Sequence, residues 1–222
     1  MKIFNWILSC FQHCCSCSSP TFKISHLCDK CQSSVGRIID EGYLTNNYLS
    51  DDCRGFPLIS LGSYRNLIIR RWIKALKGGD NKKDFKFLVL QLIIKRQTYD
   101  KLFIKLPVII VPAPSRVFKK RDHSSCLAEA LSMITGWELA SILENDDFDK
   151  SAQKSKSAIE RQNRKFKAKI QFTGFKGTIL FVDDVVTTGS TAVAAWNAIG
   201  KPCNFEVWCI AHQPLLARTE KY

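Results

Sequence analysis

Residues 178–191, TILFVDDVVTTGST, constrain this chain more than any other stretch. Ile179, Leu180, Phe181 and Val182 are four consecutive apolar β-formers, the pattern of a strand buried on both faces of a parallel sheet. The run meets two acids, Asp183 and Asp184, continues through Val185 and Val186, and turns through Thr187, Thr188, Gly189, Ser190 and Thr191. An alanine-rich segment at 192–199 reads as a helix. A strand that passes through a small-residue turn into a helix is the repeating unit of helix-covered parallel sheets.

The same stretch carries chemistry. Loop amides and a helix start can hold a phosphate, and Gly189 lets the backbone approach it closely. Two carboxylates at the strand end can accept hydrogen bonds from two vicinal hydroxyls. A sugar phosphate with free 2- and 3-hydroxyls satisfies both halves. The plainer alternative is an ordinary β–α turn with a capping Asp, but such a turn needs neither the acid doublet nor the TTGST run. A Walker loop is excluded, since no Lys follows the glycine.

The stretch strongly resembles the phosphoribosyl-diphosphate (PRPP) signature of type I phosphoribosyltransferases. The resemblance implies that Asp183 and Asp184 take the ribose hydroxyls, with Mg²⁺ nearby, and that Thr187, Thr188, Gly189, Ser190 and Thr191 wrap the 5-phosphate. In an active enzyme of this kind, diphosphate leaves C1 of the ribose and a nitrogen nucleophile attacks. Catalysis then rests on orientation and on screening the leaving group's charge with Mg²⁺, Arg and Lys.

Four of the ten cysteines are organised. Cys14-x₂-Cys17 and Cys28-x₂-Cys31 are two knuckles ten residues apart, with Pro20 between them. Each places two thiolates on a tight turn, and two such turns complete a closed tetrahedral Zn²⁺ site of structural type. His13, Cys15 and His26 lie close enough to substitute in the ligand set. The rival reading is a pair of disulfides in a secreted domain. The rest of the chain, with Cys10, Cys53, Cys126, Cys203 and Cys209 scattered through it, argues for the metal and for those five as small buried hydrophobes. A module this small would draw most of its folding free energy from the metal.

The N-terminal MKIFNWILSCFQHCC has an apolar run of about six residues containing Asn5, short of a secretory signal, and only a weak lipobox flavour at residues 7–10. No stretch approaches the ~20 apolar residues that span a bilayer. The expectation is a cytoplasmic protein with a zinc module over 1–40, a polar link over 41–62 that holds at most a short strand, and an α/β domain over 63–222. Residues 63–77 read as an amphipathic helix with Leu67, Ile68, Trp72, Ala75 and Leu76 on one face and Arg70, Arg71, Lys74 and Lys77 mostly on the other. Gly78-Gly79 stops it. A second helix is expected over 83–96, a strand over 106–112, a helix over 123–134, a short strand within 137–142 and a last strand over 205–212. Residues 146–169 are hydrophilic and basic.

The order of parts narrows the resemblance. A double CxxC knuckle precedes a Tyr/Arg-led helix, a strand ending Val111-Pro112-Ala113-Pro114, a Gln153…Glu160-Arg161…Asn163 segment and the acid-pair signature. This arrangement resembles the ComF (ComFC-type) family over nearly the whole chain: a zinc finger joined to a type I phosphoribosyltransferase domain. By position, the turn after Val111 would hold the diphosphate, with Arg116, Lys119, Lys120 and Arg121 in reach. Residues 153–163 would form a hood, and Arg161 would contact phosphate there. The chain departs from the family at 119–124, where Lys-Lys-Arg-Asp-His-Ser replaces the usual Arg-Gly-Phe-Asn-Gln. Thr187 also stands where purine-salvage relatives carry an Asp, which takes weight from purine salvage. His123 is a candidate acid or base, but it reads first as a polar residue at a helix start.

The ComF resemblance implies a role in natural transformation, the handling of incoming single-stranded DNA, with a competence helicase or channel protein as a possible partner. A formal charge of +13 is compatible with polyanions. Residues 150–169 hold eight Lys and Arg against Glu160 alone, and Phe166 and Phe172 flank their dense end, where rings can stack on bases. The alternatives are a working phosphoribosyltransferase with an unknown nitrogen acceptor, a site that binds PRPP or a 5-phosphorylated nucleotide without turnover, and a zinc-module adaptor for a DNA-translocation partner.

Overall fold

The computed structural model describes residues 12–13, 19–21, 30, 56–76, 82–97, 106–114, 122–146 and 166–213. Near the N-terminus two short strands, β1 (Gln12–His13) and β2 (Pro20–Thr21), pair antiparallel. Cys14, Cys17, Cys28 and Cys31 lie outside the described residues, and with them the expected zinc site.

The remaining elements are β3 (Leu58–Ser63), α1 (Leu67–Leu76), α2 (Lys82–Gln97), β4 (Val108–Pro112), α3 (His123–Thr135), β5 (Glu138–Leu139), β6 (Leu143–Asn145), β7 (Phe166–Ala168), β8 (Thr178–Val186), α4 (Ser190–Ala198) and β9 (Phe205–His212). Among the described residues, five strands form one sheet in the order β3-β9-β8-β4-β5, every pair parallel. The sequence pattern explains the order of burial. All five residues of β4 and all eight of β9 are buried, as near-continuous apolar runs require when helices cover both faces. β8 lies between β9 and β4 and is buried over its first five residues; the acids follow.

Alternate side chains of the strands enter two cores. On one face Leu61, Ile110, Leu180, Val182 and Trp208 pack with Ile69 and Ile73 of α1, Leu88 and Leu92 of α2, and Leu127 and Leu131 of α3. On the other, Val111, Ile179, Phe181, Phe205 and Val207 pack with Phe56 and with Ala192 and Ala195 of α4. β6 and β7 form a separate antiparallel pair, Leu143 opposite Ala168, whose Leu143, Phe166 and Ala168 lie against this second core.

Several elements depart from the sequence expectation. The short strand allowed for in the 41–62 link is β3, and it belongs to the sheet, which places the domain's start earlier than residue 63. Ser63 ends that strand rather than opening the helix. Tyr64 N–H donates to His212 O at 2.7 Å, and Asn66 then begins α1, its Oδ1 accepting from Ile69 N at 3.4 Å. The start is therefore later than expected, and the buried pair is Ile69 and Ile73, one turn apart, while Leu67 is 56% exposed. A run of consecutive apolar residues offers overlapping stripes, and the sheet selects the one that faces it. The β6–β7 pair was not expected either, because three-residue strands carry too little periodicity to register. By contrast the strand at 205–212 and the helices at 82–97 and 123–135 lie within a residue of their expected bounds.

α2 changes character along its length. Phe85, Leu88, Val89 and Leu92 are buried, but so are Lys95 and Arg96, while Leu90 and Ile94 are about half exposed. Arg96 is buried because it meets Glu206 of β9 through two bonds, Nε to Oε2 at 3.1 Å and Nη2 to Oε1 at 2.9 Å. Trp208 Nε1 donates to the same Oε2 at 3.2 Å. Among the described residues no helix is long and apolar enough to cross a membrane.

Candidate functional site

Ligands of open parallel sheets bind beyond the carboxyl ends of the strands. At that end of β8, Asp183 lies opposite Cys209 of β9, and Val186 opposite His212. The strand continues two residues past the acids before it turns, so the carboxylates are set by strand backbone and not by the loop. On the other side the chain leaving β4 stays alongside, with Ala113 N–H donating to Val182 O at 2.8 Å.

Each carboxylate is fixed by the amide that follows it. Asp183 Oδ1 accepts from Asp184 N at 2.8 Å, and Asp184 Oδ1 accepts from Val185 N at 2.8 Å. Asp183 Oδ1 also accepts from Ser124 Oγ of α3 at 3.2 Å. Asp184 Oδ2 lies 3.7 Å from His123 Nδ1. Burial, and then the charge of Asp184, push Asp183 up to about 7; the Asp184 amide and the Ser124 hydroxyl pull the other way without cancelling the rise. Burial, and then Asp183, push the Cys209 thiol up as well, so Cys209 is a neutral, fully buried filler.

A buried polar contact joins β3 and β9. Ser60 Oγ and His212 Nδ1 are 2.6 Å apart. Burial, reinforced by Lys95, holds His212 below the usual histidine range, and burial lowers Lys95. His212 closes β9, and the next residue, Gln213, donates its N–H to Val186 O at 2.8 Å just before the loop.

The loop is Thr187, Thr188 and Gly189. Both threonines are exposed, whereas Gly189 is buried with φ 78 and caps α4 with no side-chain hydrogen bond. A left-handed residue there is cheap only for glycine, which brings no side chain of its own to the helix start. Thr188 Oγ1 donates to Ser190 Oγ at 3.0 Å and accepts from Ser190 N at 3.4 Å, which holds the turn in shape. Asp183, Asp184 and Thr187 to Thr191 therefore share one end of the sheet. Arg116, Lys119, Lys120, Arg121 and Arg161 lie outside the described residues.

Two residues of α3 meet the acids, of which the sequence singled out His123 but not Ser124. His123 is the first residue of α3, as expected of a polar helix start, and it also faces Asp184; its ring stacks on Phe85 at 6.5 Å. Ser124 gave no signal, since a serine one residue into a helix is ordinary. The departure from the ComF pattern at 119–124 was the available clue, and it falls on these two positions.

Of the basic residues read as a nucleic-acid surface, Lys150, Lys154, Lys156, Arg161, Arg164 and Lys165 lie outside the described residues, and Lys167 and Lys169 lie on the surface. Lys167 Nζ meets Asp146 Oδ1 and Lys169 Nζ meets Glu144 Oε1, each at 2.8 Å. Antiparallel β6–β7 pairing brings those acids across from a distant point in sequence. Phe166 and Phe172, both half-buried, pack against the second core, Phe172 with its ring centroid 5.5 Å from that of Phe175. Among the scattered cysteines, Cys209 is buried as expected and Cys126 half-buried, but Cys203 is exposed in the turn before β9. No protein-family model and no curated protein matches this chain.

Proposed function

We propose that this protein binds PRPP, or a related ribose 5-phosphate, through Asp183, Asp184 and the 187–191 loop, in a type I phosphoribosyltransferase-like domain of a ComF-like protein. The observation that carries the reading is the juxtaposition of two amide-fixed carboxylates with a glycine-capped helix start on one strand–loop–helix unit. The carboxylates accept from the 2- and 3-hydroxyls. The Ser190–Thr191 end of α4, with its dipole and loop hydroxyls, takes the 5-phosphate. Mg²⁺ enters with the diphosphate as part of the substrate. Transfer of the ribose 5-phosphate to a nitrogen acceptor is the enzymatic form of this reading.

The ComF resemblance supplies the setting, natural transformation, with a structural Zn²⁺ on Cys14, Cys17, Cys28 and Cys31 and contact to single-stranded DNA. The DNA contact is the weaker half of the proposal. Lys167 and Lys169 already have carboxylate partners and the two phenylalanines are committed to packing, so the basic residues of 150–165 would have to supply it.

Calorimetric titration of Mg·PRPP into the full chain tests the site. The wild type should bind saturably, and Asp183→Ala/Asp184→Ala should weaken binding by about 100-fold or more, roughly 2.7 kcal/mol. Equal binding by the folded double variant would sink the reading.

A further inference from the structure

The acid pair is held from a second direction. α3 meets both carboxylates with two successive residues: Ser124 donates to Asp183 Oδ1 at 3.2 Å, and His123 Nδ1 stands 3.7 Å from Asp184 Oδ2. Successive residues of a strand ordinarily point to opposite faces. Here one element addresses both, Ser124 reaching Asp183 and His123 reaching Asp184.

Each contact is itself supported. Ser124 is 2% exposed, so its hydroxyl needs a partner, and the Asp183 carboxylate supplies it. The His123 ring is stacked at 17° on Phe85, a buried residue of α2. Asp122 caps the helix, accepting from His123 N at 2.8 Å, and Gly136 closes it. The helix has its caps and its apolar side, Leu127, Ala128 and Leu131, without either contact to the acids. What the contacts add is a fixed rotation of two adjacent carboxylates.

We propose that Ser124 and His123 are positioning residues that set the two carboxylates to receive a vicinal diol, and so make this site select a ribose over its 2-deoxy counterpart. The inference rests on the reading of Asp183 and Asp184 as diol acceptors. It gives the helix start at 122–124 a task that composition and charge left unassigned. Ser124 acts on Asp183 through the shorter contact and carries the larger share. His123 acts on Asp184 across a longer gap and carries less.

The test compares ribose 5-phosphate with 2-deoxyribose 5-phosphate, titrated calorimetrically into the full chain. Ser124→Ala should weaken ribose 5-phosphate about tenfold and leave the deoxy sugar nearly unchanged, so their ratio falls; Ser124→Thr should restore it. His123→Phe keeps a ring on Phe85 and removes Nδ1, with an expected loss of about threefold. An unchanged ratio in folded Ser124→Ala overturns the proposal. A readout free of any sugar separates this from failure of the diol reading: the carbon-13 titration of the Asp183 carboxyl. Loss of the serine donor should raise its midpoint, and Thr should return it. If the wild type binds neither sugar but the midpoint moves, positioning stands and the diol reading falls. If the midpoint stays where it is, Ser124 does not position Asp183.

Discussion

On the face covered by α4 and the β6–β7 pair, the sheet meets Phe56, Phe166, Phe172, Phe175, Trp196 and a row of alanines. On the face covered by α1, α2 and α3, it meets an apolar core of similar extent threaded by polar contacts: Arg96 to Glu206 and Trp208, Ser60 to His212, Ser124 to Asp183. Shape decides the face under α4, and several ring pairings satisfy it. The face under α1, α2 and α3 is specified by directional bonds: Arg96 and Ser124 each fix a helix to a strand position, and Ser60 ties β3 to β9. The helix that touches the acid pair, α3, is on the specified face. A carboxylate pair needs its partners placed to a fraction of an ångström, and hydrogen bonds deliver that where apolar packing alone tolerates drift.

Three experiments can break or sharpen this contrast. The largest effect is expected from Phe205→Ala on the plain face and Arg96→Met on the specified one, each costing about 3–5 kcal/mol by denaturant melts. The two losses should differ in how they are repaired. Arg96→Met/Glu206→Leu should recover most of the loss, because an apolar pair replaces the buried ions, whereas no second-site change restores a ring-sized void so simply. If the double variant stays as unstable as the single one, the ion pair contributes more than orientation.

A smaller effect is expected from pH. Asp183 is raised to about 7 in the folded state against an ordinary 3.8. The folded protein then holds a proton between those values that the unfolded chain has released. Stability from this group is full below pH ~4 and declines as pH rises to ~7. Melting followed across that window should show the decline in the wild type, and Asp183→Asn should flatten it. A rise in stability over the same window would contradict the burial assigned to the group.

The smallest effect concerns the rim. Lys167 and Lys169 are about 60% exposed, and their carboxylate partners lie on the adjoining strand or just beyond it. Replacing Lys167 by Met should cost less than about 1 kcal/mol. If single-stranded DNA binding, measured against salt, also falls by one phosphate contact's worth of slope, the lysine leaves Asp146 for the nucleic acid; an unchanged slope leaves the ion pair as its role.

Much of the fold was legible because its signals are local. The apolar runs of β4, β8 and β9 announce buried strands, and Gly189 followed by a small-residue helix announces the turn. The acid pair was legible for the same reason. What escaped was long-range. A short strand in the link was legible, but its place at the edge of the sheet was not, since serine- and glycine-bearing LISLGS joins the sheet only by pairing with β9. Lys95 and Arg96 looked like a helix's solvent face, and only Glu206, 110 residues from Arg96, makes that burial reasonable. Ser124 is 59 residues from Asp183. Periodicity reads which face of an element is wet; it cannot read which polar residues meet across a sheet.

Gly177 sits just before β8, and a Cβ there would come within 2.1 Å of Pro107 O, the carbonyl that accepts from Thr178 N at 3.0 Å. The obstacle is backbone, which cannot swing aside. β8 is thereby keyed to β4 at its first residue, Thr178, and the position of Asp183 five residues on is counted from that key. In a mutational tolerance map this glycine will score as intolerant as the acids themselves, at the opposite end of the strand from them. Dividing each variant's activity by its folded yield tells the two kinds of intolerance apart: the acids lose function per folded molecule, and the glycine loses folded molecules.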